Sequence, residues 1–209
     1  MKHIFSLLLA IYLMPTIAFS QDDETTSFVK SNEIGVFGAT GFNKITSFNN
    51  FGAAPKNVVA AFGIFYARTF VPHFKVRLGF GMSYMFSKNQ FDNGYANYRS
   101  AHIEVPLQFH YIFNPDSKAQ FYVGLGVSIN RWMNTLVRNE LDGKKSEAST
   151  YNPKRGMYIV PTLAAGVNLN LNEEWSIYLQ PEYRPLMVEN KTNTQLRSLI
   201  VQLGVLYHL

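Results

Sequence analysis

The sequence contains no cysteine among its 209 residues. Disulfide bonds, thiolate metal sites and cysteine nucleophiles are therefore excluded. Lipoprotein processing, which acylates an N-terminal cysteine, is excluded for the same reason. A chain of this length is expected to form one domain with a sizeable core.

Charged residues are also scarce, since they make up 16% of the chain against about 25% in an ordinary soluble domain. Hydrophobic residues make up 47% and aromatic residues 15%, yet the mean hydropathy is only -0.06. This combination indicates that apolar and polar residues alternate at short range, as in strands that show one face to lipid and the other to a lumen. The formal net charge is +5, but its basic residues are scattered rather than clustered with aromatic residues, so nucleic acid is not an expected partner.

Long hydrophobic runs are missing, apart from a short one near the N-terminus. Residues 1–20 have a basic start, an apolar stretch ended by Pro15, and small residues at Ala18 and Ser20. This pattern predicts a cleavable secretory signal peptide; the alternative, a membrane anchor, needs about 20 apolar residues. Residues 21–32 are polar and are expected to form a flexible N-terminal segment. No later segment is a candidate transmembrane helix, so any membrane insertion must use strands.

Residues 33–209 alternate strand-like runs with breaks, which predicts an outer-membrane β-barrel domain of eight antiparallel strands. Connections after the even-numbered strands are short and those after the odd-numbered strands are long, as in bacterial barrels with periplasmic turns and extracellular loops. The predicted strands are residues 33–42, 57–70, 74–86, 99–113, 120–133, 156–171, 174–187 and 196–208. The predicted long loops are residues 43–56, 87–98, 134–155 and 188–195.

The contents of the two strand faces distinguish a membrane barrel from a soluble one. In residues 102–113 large apolar side chains alternate with histidine, glutamate, proline and glutamine, and residues 121–130 repeat the alternation with small and polar residues. The lumen of an eight-stranded barrel is only just wide enough for side chains, so the large apolar set must face lipid. The predicted fold class is all-β, an eight-stranded antiparallel up-and-down transmembrane β-barrel in the cell outer membrane.

Aromatic residues recur on the apolar face near the predicted periplasmic strand ends. Because amphipathic rings prefer the headgroup level of a membrane, an aromatic girdle is the preferred interpretation, with ordinary core aromatics as the alternative. The residues are Phe70, Phe74, Tyr111, Phe113, Phe121, Trp175 and Tyr207.

The stretch HIEVPLQFHYIF at residues 102–113 is followed after a short turn by FYVGLGVSIN at residues 121–130. This pair of an apolar-Glu-apolar-Pro strand and a Gly-x-Gly strand resembles the PorT-like family of outer-membrane β-barrels in Gram-negative bacteria. The resemblance extends over residues 33–209 and implies a small barrel; one namesake of the family takes part in a protein-secretion system. The C-terminus departs from the common barrel ending, because Leu209 is last and the aromatic Tyr207 precedes it by two positions.

Five charged residues are predicted to point into the lumen, where charges are costly unless they are paired and hydrogen-bonded. Both signs are present, so we expect a paired network with Gln108, Gln180 and Gln202 that holds the barrel closed. A lumen that conducts protons or small solutes is the alternative. The five residues are Lys75, Arg77, Glu104, Glu182 and Arg184.

Neither a cofactor nor a metal site is predicted. The Gly-x-Gly pairs at positions 79/81 and 124/126 lie within strands, whereas a dinucleotide site needs its glycines in a turn that opens a helix. His102 and His110 flank Glu104 at a distance too great for shared ligation, and no HExxH pattern occurs.

The sharpest enzyme alternative is an outer-membrane lipid hydrolase that uses Ser100, His102 and Glu104. Their alternate spacing rarely gives the mutual hydrogen bonds that such a set needs, so the chain is not expected to be an enzyme and no catalytic residue is assigned. The sequence favours a structural or interaction barrel with a closed lumen and long extracellular loops, accessory to a secretion or envelope complex. Its expected partners are outer-membrane lipids and envelope or secretion-system proteins, and a narrow channel is the remaining alternative.

Overall fold

The computed structural model describes residues 32–47, 57–91, 94–141, 143–150, 157–189 and 194–209. The predicted signal peptide at residues 1–20 and almost all of the predicted N-terminal segment lie outside these residues; only Asn32 of that segment is described, as the first residue of a strand. Within the described residues, no helix is long and apolar enough to cross a membrane.

In the described residues, eight strands close a barrel and a ninth extends one part of its wall. The strands are β1 (Asn32–Ser47), β2 (Asn57–Val71), β3 (Phe74–Phe91), β4 (Gly94–Ile112), β5 (Ala119–Leu141), β6 (Lys144–Thr150), β7 (Met157–Asn170), β8 (Trp175–Glu189) and β9 (Thr194–His208). Antiparallel pairing runs from β1 through β2, β3, β4, β5, β7, β8 and β9, and β9 pairs back to β1. The predicted eight-stranded antiparallel up-and-down barrel is therefore confirmed.

The alternation of residue types along each strand fixes which side faces the lumen. On β9, Leu199 and Leu203 are exposed on the outside, whereas Ser198 and Gln202 are buried inside. Strand side chains alternate with a period of two. Around the wall, apolar side chains therefore face outward and polar ones face the lumen, which is the reverse of a soluble barrel. The predicted girdle residues face outward as well: Phe121 is half-buried, and Phe70, Phe74, Tyr111, Phe113, Trp175 and Tyr207 are exposed.

Three short turns gather at one end of the barrel, together with the start of β1 and the end of β9. This end is periplasmic by the general rule for bacterial barrels. Asparagine side chains shape two of the turns, as is typical of this residue: Asn114 Oδ1 accepts a hydrogen bond from the Phe121 amide at 2.8 Å, and Asn172 Oδ1 accepts one from the Trp175 amide at 2.7 Å. The turns are residues 72–73, 113–118 and 171–174.

The opposite, extracellular end differs from the sequence prediction. Residues 87–98 and 134–155 were expected to be loops, but β3 runs on to Phe91 and β4 starts at Gly94, while β5 runs on to Leu141 and pairs with β6. We call the band of exposed apolar side chains around the outside of the barrel the apolar belt. The strand extensions lie beyond this belt, so their two faces do not differ in hydropathy. The alternation that predicts a strand is therefore missing from their sequence. Gly143, just before β6, adopts a φ of 74°, a left-handed backbone conformation that glycine allows at little cost.

Prolines interrupt the ladder between β7 and β8. In the described residues the pairing ends at Leu163 and Tyr183, although both strands continue towards the extracellular end. Extending this register by two residues sets Pro161 opposite Pro185. Neither has an amide hydrogen to donate, so the ladder cannot continue through this position. We call the stretch of β7 before Leu163, with the facing part of β8, the proline seam.

Candidate functional site

The lumen contains a chain of charged and polar side chains, which is the candidate functional site. All five charges predicted to point inward are buried, with exposures between 1% and 6%. They come from three strands of the wall, β3, β4 and β8. The residues are Lys75, Arg77, Glu104, Glu182 and Arg184.

Arg184 is the central residue in the extracellular part of this group of lumen side chains. Its Nη1 and Nη2 donate to the two carboxylate oxygens of Glu104 at 3.1 and 3.0 Å, and its Nε donates to Glu182 Oε1 at 2.8 Å. The Ser83 hydroxyl also donates to Glu104. A planar guanidinium matches a carboxylate in this two-pronged geometry, so one buried cation is shared by two buried anions.

Three glutamines surround the other oxygen of Glu182. Gln108 and Gln202 each donate from Nε2 to Glu182 Oε2 at 2.8 Å, and Gln180 does so at 3.2 Å. The predicted participation of these glutamines is therefore confirmed. Since they belong to β4, β8 and β9, the group crosses the lumen at mid-height and joins separate parts of the wall.

Arg77 joins the predicted network through neutral groups rather than through a carboxylate. In the described part of the chain it lies within ion-pair distance of no carboxylate. Its Nη2 instead donates to the Tyr178 hydroxyl at 2.6 Å and to Gln202 Oε1 at 3.2 Å. The guanidinium also lies 3.5 Å from the ring centre of Phe65, and arginine is the cation best suited to stack on an aromatic face.

The periplasmic part of the lumen contains an ion pair that the sequence analysis missed. Lys75 Nζ donates to both oxygens of Glu33 at 2.7 and 2.9 Å, and His208 Nδ1 lies 3.7 Å from Glu33 Oε1. In the sequence prediction Glu33 marks only the start of the barrel domain. Its alternation with the outward-facing Ile34 and Val36 could have identified it as a lumen residue.

Aromatic rings fill the space that lumen glycines leave open. The ring of His110 stacks on Tyr122 with centroids 4.6 Å apart, and a Cβ on Gly124 would lie 2.6 Å from His110 Cδ2. A Cβ on Gly204 would collide with the ring of Tyr178. The lumen is therefore filled by aromatic rings, and is not open, beside Gly124 and Gly204.

Ser100, His102 and Glu104 do not form a catalytic triad. Ser100 Oγ does lie 3.3 Å from His102 Nε2, a contact that the sequence spacing made improbable. However, His102 Nδ1 lies 2.7 Å from the Tyr158 hydroxyl, whereas Glu104 is held by Arg184 and the Ser83 hydroxyl. The acid that would orient the histidine is thus engaged elsewhere.

A small cleft opens beside His102 at the extracellular end of the lumen. Three buried polar atoms at this end, Asn43 Oδ1, Asn130 Nδ2 and Thr162 Oγ1, have no hydrogen-bond partner among the described residues. Buried polar atoms of this kind are commonly satisfied by water. Of these residues only Asn43 lines the cleft, whose space suits a water molecule. The cleft is lined by Asn43, Val59, Ser83, Met85, His102, Glu104, Arg184, Ser198 and Ile200. The described residues include no group of three or more acidic or histidine side chains that could hold a metal ion.

The extracellular strand extensions carry their own polar contacts. Arg138 on β5 pairs with Glu147 on β6 at 2.8 Å, and both side chains are more than half exposed. The Tyr95 hydroxyl donates to Glu140 Oε2 at 2.9 Å, and this hydrogen bond, followed by the carboxylate charge, raises the pKa of Tyr95. Backbone pairing of β3 with β4, β4 with β5 and β5 with β6 makes these extensions a continuous sheet beyond the apolar belt. We call it the polar sheet.

Comparison with known proteins supports the fold and goes no further. No protein-family profile and no curated protein sequence matches the chain. Among solved structures, OprG from Pseudomonas aeruginosa is similar with a TM-score of 0.55 and 14% identity, covering 90% of this chain and 99% of OprG. Neisserial surface protein A is similar with a TM-score of 0.46 and 14% identity, and the match covers 83% of this chain and 96% of that protein. Ail from Yersinia pestis, in complex with the heparin analogue sucrose octasulfate, is similar with a TM-score of 0.46 and 12% identity. That match covers 87% of this chain and 100% of Ail.

The shared fold and the outward-facing apolar belt agree with each other. The architecture is that of the outer-membrane β-barrels of Gram-negative bacteria. An exterior of exposed leucine, valine, isoleucine and phenylalanine requires a lipid environment. The protein is therefore an eight-stranded barrel of the cell outer membrane.

Proposed function

We propose that this chain is a non-conducting outer-membrane barrel with a structural or interaction role, accessory to a secretion or envelope complex. The observation that carries the proposal is the network in which Arg184 holds Glu104 and Glu182, and Glu182 in turn binds three glutamines. A lumen occupied by paired and hydrogen-bonded side chains has no continuous polar path for a solute. The role of such a barrel then lies in what its exterior and its extracellular strands contact.

The sequence resemblance to PorT-like barrels supports the accessory role, and the polar sheet of β3 to β6 supplies a surface for it. Exposed polar strands on a rigid scaffold are natural binding surfaces. Envelope or secretion-system proteins are accordingly the proposed partners, and outer-membrane lipids surround the belt.

Single-channel recording in planar bilayers tests the closed lumen. The wild-type barrel is expected to give no steady conductance, whereas the double variant Glu104→Ser/Arg184→Ser, which removes the central ion pair, is expected to give brief openings. A steady wild-type conductance that the double variant leaves unchanged would favour the narrow channel and overturn the proposal.

We also propose that the chain is not an enzyme. The support is the arrangement around His102, whose second nitrogen is engaged by Tyr158 rather than by a carboxylate. Mass spectrometry of lipid A should show the same composition in a deletion strain, in the wild type and in a Ser100→Ala strain. A change in acyl-chain number that Ser100→Ala reproduces would establish the hydrolase alternative instead.

Site-directed photo-crosslinking in cells tests the interaction role. A photo-reactive residue at the exposed Ser146 on β6 should crosslink to a defined envelope protein, whereas one at the lipid-facing Leu203 should not. Crosslinks that are absent at position 146, or equal at both positions, would count against a partner for the polar sheet.

A further inference from the structure

The outward face of several strands ends in a cation at the extracellular limit of the apolar belt. On β5 the exposed Ile129 is followed two positions later by the exposed Arg131. On β9 the exposed Leu199 is preceded two positions earlier by the exposed Arg197. A spacing of two keeps a side chain on the same face of a strand, so these cations lie directly above the lipid-facing surface.

The same arrangement occurs on β3 and β4. Lys88 is exposed two positions beyond the outward-facing Phe86, and Arg99 is exposed opposite Phe86 in the register of the two strands. We define Lys88, Arg99, Arg131 and Arg197 as the basic collar. In the sequence, Lys44, Lys56 and Arg155 stand two positions beyond Phe42, Val58 and Met157, the last apolar residues on the outward faces of β1, β2 and β7.

The collar charges lack an anionic side-chain partner among the residues that the structure describes. No collar residue forms an ion pair within the described part of the chain, although Arg138 and Lys145, farther out, pair with Glu147 and Glu140. Two of the cations lie against rings, with Arg99 5.2 Å from the centre of Phe86 and Lys88 4.7 Å from that of Tyr95. An aromatic face orients a cation without cancelling its charge, so the collar remains free to attract anions.

Among the described residues, the periplasmic end has no equivalent of the basic collar. Its outward face carries Arg68, which lies 5.3 Å from the ring centre of Phe70, but the exposed turns mix both signs, with Asp116, Lys118 and Glu173 among them. The excess of positive charge therefore marks one membrane surface and not the other.

We propose that the basic collar binds the phosphate groups of phosphorylated glycolipids in the outer leaflet. Three of its four members are arginines, whose guanidinium forks match phosphate oxygens in pairs. Cations at a membrane surface gain most when anionic headgroups lie at their own height, and the position just above the apolar belt is that height. The proposal rests on the membrane location of the belt and is independent of whether the lumen conducts.

Native mass spectrometry of the detergent-solubilised, leader-free barrel tests this binding. The protein is titrated with bisphosphorylated lipid A and, separately, with the same lipid after removal of both phosphates. At about 1 kcal/mol for each cation near the surface, the variant Arg99→Gln/Arg131→Gln is expected to weaken binding of bisphosphorylated lipid A roughly thirtyfold. Arg99→Lys/Arg131→Lys keeps the charge but removes the guanidinium forks, so its affinity should lie between those of the double glutamine variant and the wild type.

The matched control is Lys144→Gln/Lys145→Gln, which changes the net charge equally but lies on β6, beyond the collar. Its affinity should stay within about twofold of the wild type. Equal weakening in both double glutamine variants would reduce the effect to net charge, and equal binding of the phosphorylated and dephosphorylated lipids would exclude phosphate recognition; either result overturns the proposal. Retained heat-dependent gel mobility verifies that each variant is folded, and the conductance recordings are not affected by either outcome.

Discussion

Arg184 and Glu104 face each other across the lumen and form two parallel hydrogen bonds of 3.1 and 3.0 Å. They belong to β8 and β4, strands that are not neighbours in the barrel wall. Both side chains are buried, with exposures of 7% and 8%. The pair therefore acts as a strut within the barrel, in addition to the backbone ladders that hold adjacent strands together.

Glu104→Ala should lower the free energy of unfolding by about 3–5 kcal/mol, because it leaves a buried arginine with one carboxylate instead of two. Urea unfolding in lipid vesicles measures the change. Glu147→Ala is the control, since it breaks an exposed pair with Arg138 and should cost about 0–1 kcal/mol. Similar losses in the two variants would show that the strut contributes little.

Gly204→Ala should destabilise the barrel by about 1–3 kcal/mol, the usual cost of overpacking. The added Cβ would collide with the ring of Tyr178 and with the backbone carbonyl oxygen of Val36. The ring cannot move away freely, because the Tyr178 hydroxyl accepts a hydrogen bond from Arg77 Nη2. Gly38→Ala is the control, because nothing lies within 4 Å of the position of its Cβ. Thermal melting of both variants in the same detergent measures the difference. A lower melting temperature for Gly204→Ala alone would show that steric crowding at this position is the cause, rather than a general effect of replacing glycine in a strand.

Arg77→Lys should cost about 1–3 kcal/mol, although it conserves the charge. A lysine cannot reproduce both the stacking on Phe65 at 3.5 Å and the separate hydrogen bonds to Tyr178 and Gln202. Arg68→Lys on the exterior is the matched control, and its unfolding free energy should change by less than about 0.5 kcal/mol. If Arg77→Lys changes the unfolding free energy as little as Arg68→Lys does, charge alone accounts for the role of Arg77.

The proline seam should be the part of the wall where backbone amides exchange fastest with solvent hydrogen. Amides of β7 that point towards β8 before Leu163 lack a ladder partner, whereas those that point towards β5 are paired through Met157. Hydrogen exchange read by NMR should therefore alternate along residues 157–162, with protection on one side only. Replacement of both facing prolines, Pro161→Val/Pro185→Val, should raise protection there; unchanged exchange would mean that the prolines are not the cause of the gap.

Outer-membrane fractionation tests the location directly. The protein should fractionate with the outer membrane and migrate faster on an unheated denaturing gel than after boiling, because a closed β-barrel resists unfolding by detergent. Recovery from the soluble periplasm without any mobility shift on heating would contradict the membrane assignment.

Period-two alternation made the faces of the barrel predictable, and with them the buried positions of Glu104, Glu182 and Arg184. Their partners were not predictable in the same way. Arg184 reaches Glu104 only because the barrel closes with a particular stagger between strands, and the stagger depends on pairings that one strand's sequence does not encode. Local pattern thus identifies which side chains enter the lumen, and closure decides which of them meet.

The structure differs from the sequence prediction in two further places. The strand extensions of β3, β4 and β5 were missed because polar residues on both faces remove the hydropathy signal. Phe65 lies in the lumen at 4% exposure, where a polar residue was expected, because Gly35 leaves room for its ring and Arg77 covers its face. The first cause lies in the sequence of the extensions themselves, whereas the second depends on neighbours that are distant in sequence from Phe65.

The pairing of β1 with β9 places the two ends of the barrel domain side by side, with Glu33 opposite His208. Contacts between such distant parts of a chain are slow to form, so closure of this junction is the natural last step of folding. Until it forms, the first and last strands each expose an open edge, which lipid cannot satisfy. Adjacent ends also mean that a linker between them, with new ends cut into an extracellular turn, would preserve every strand pairing while changing the order in which the strands are synthesised.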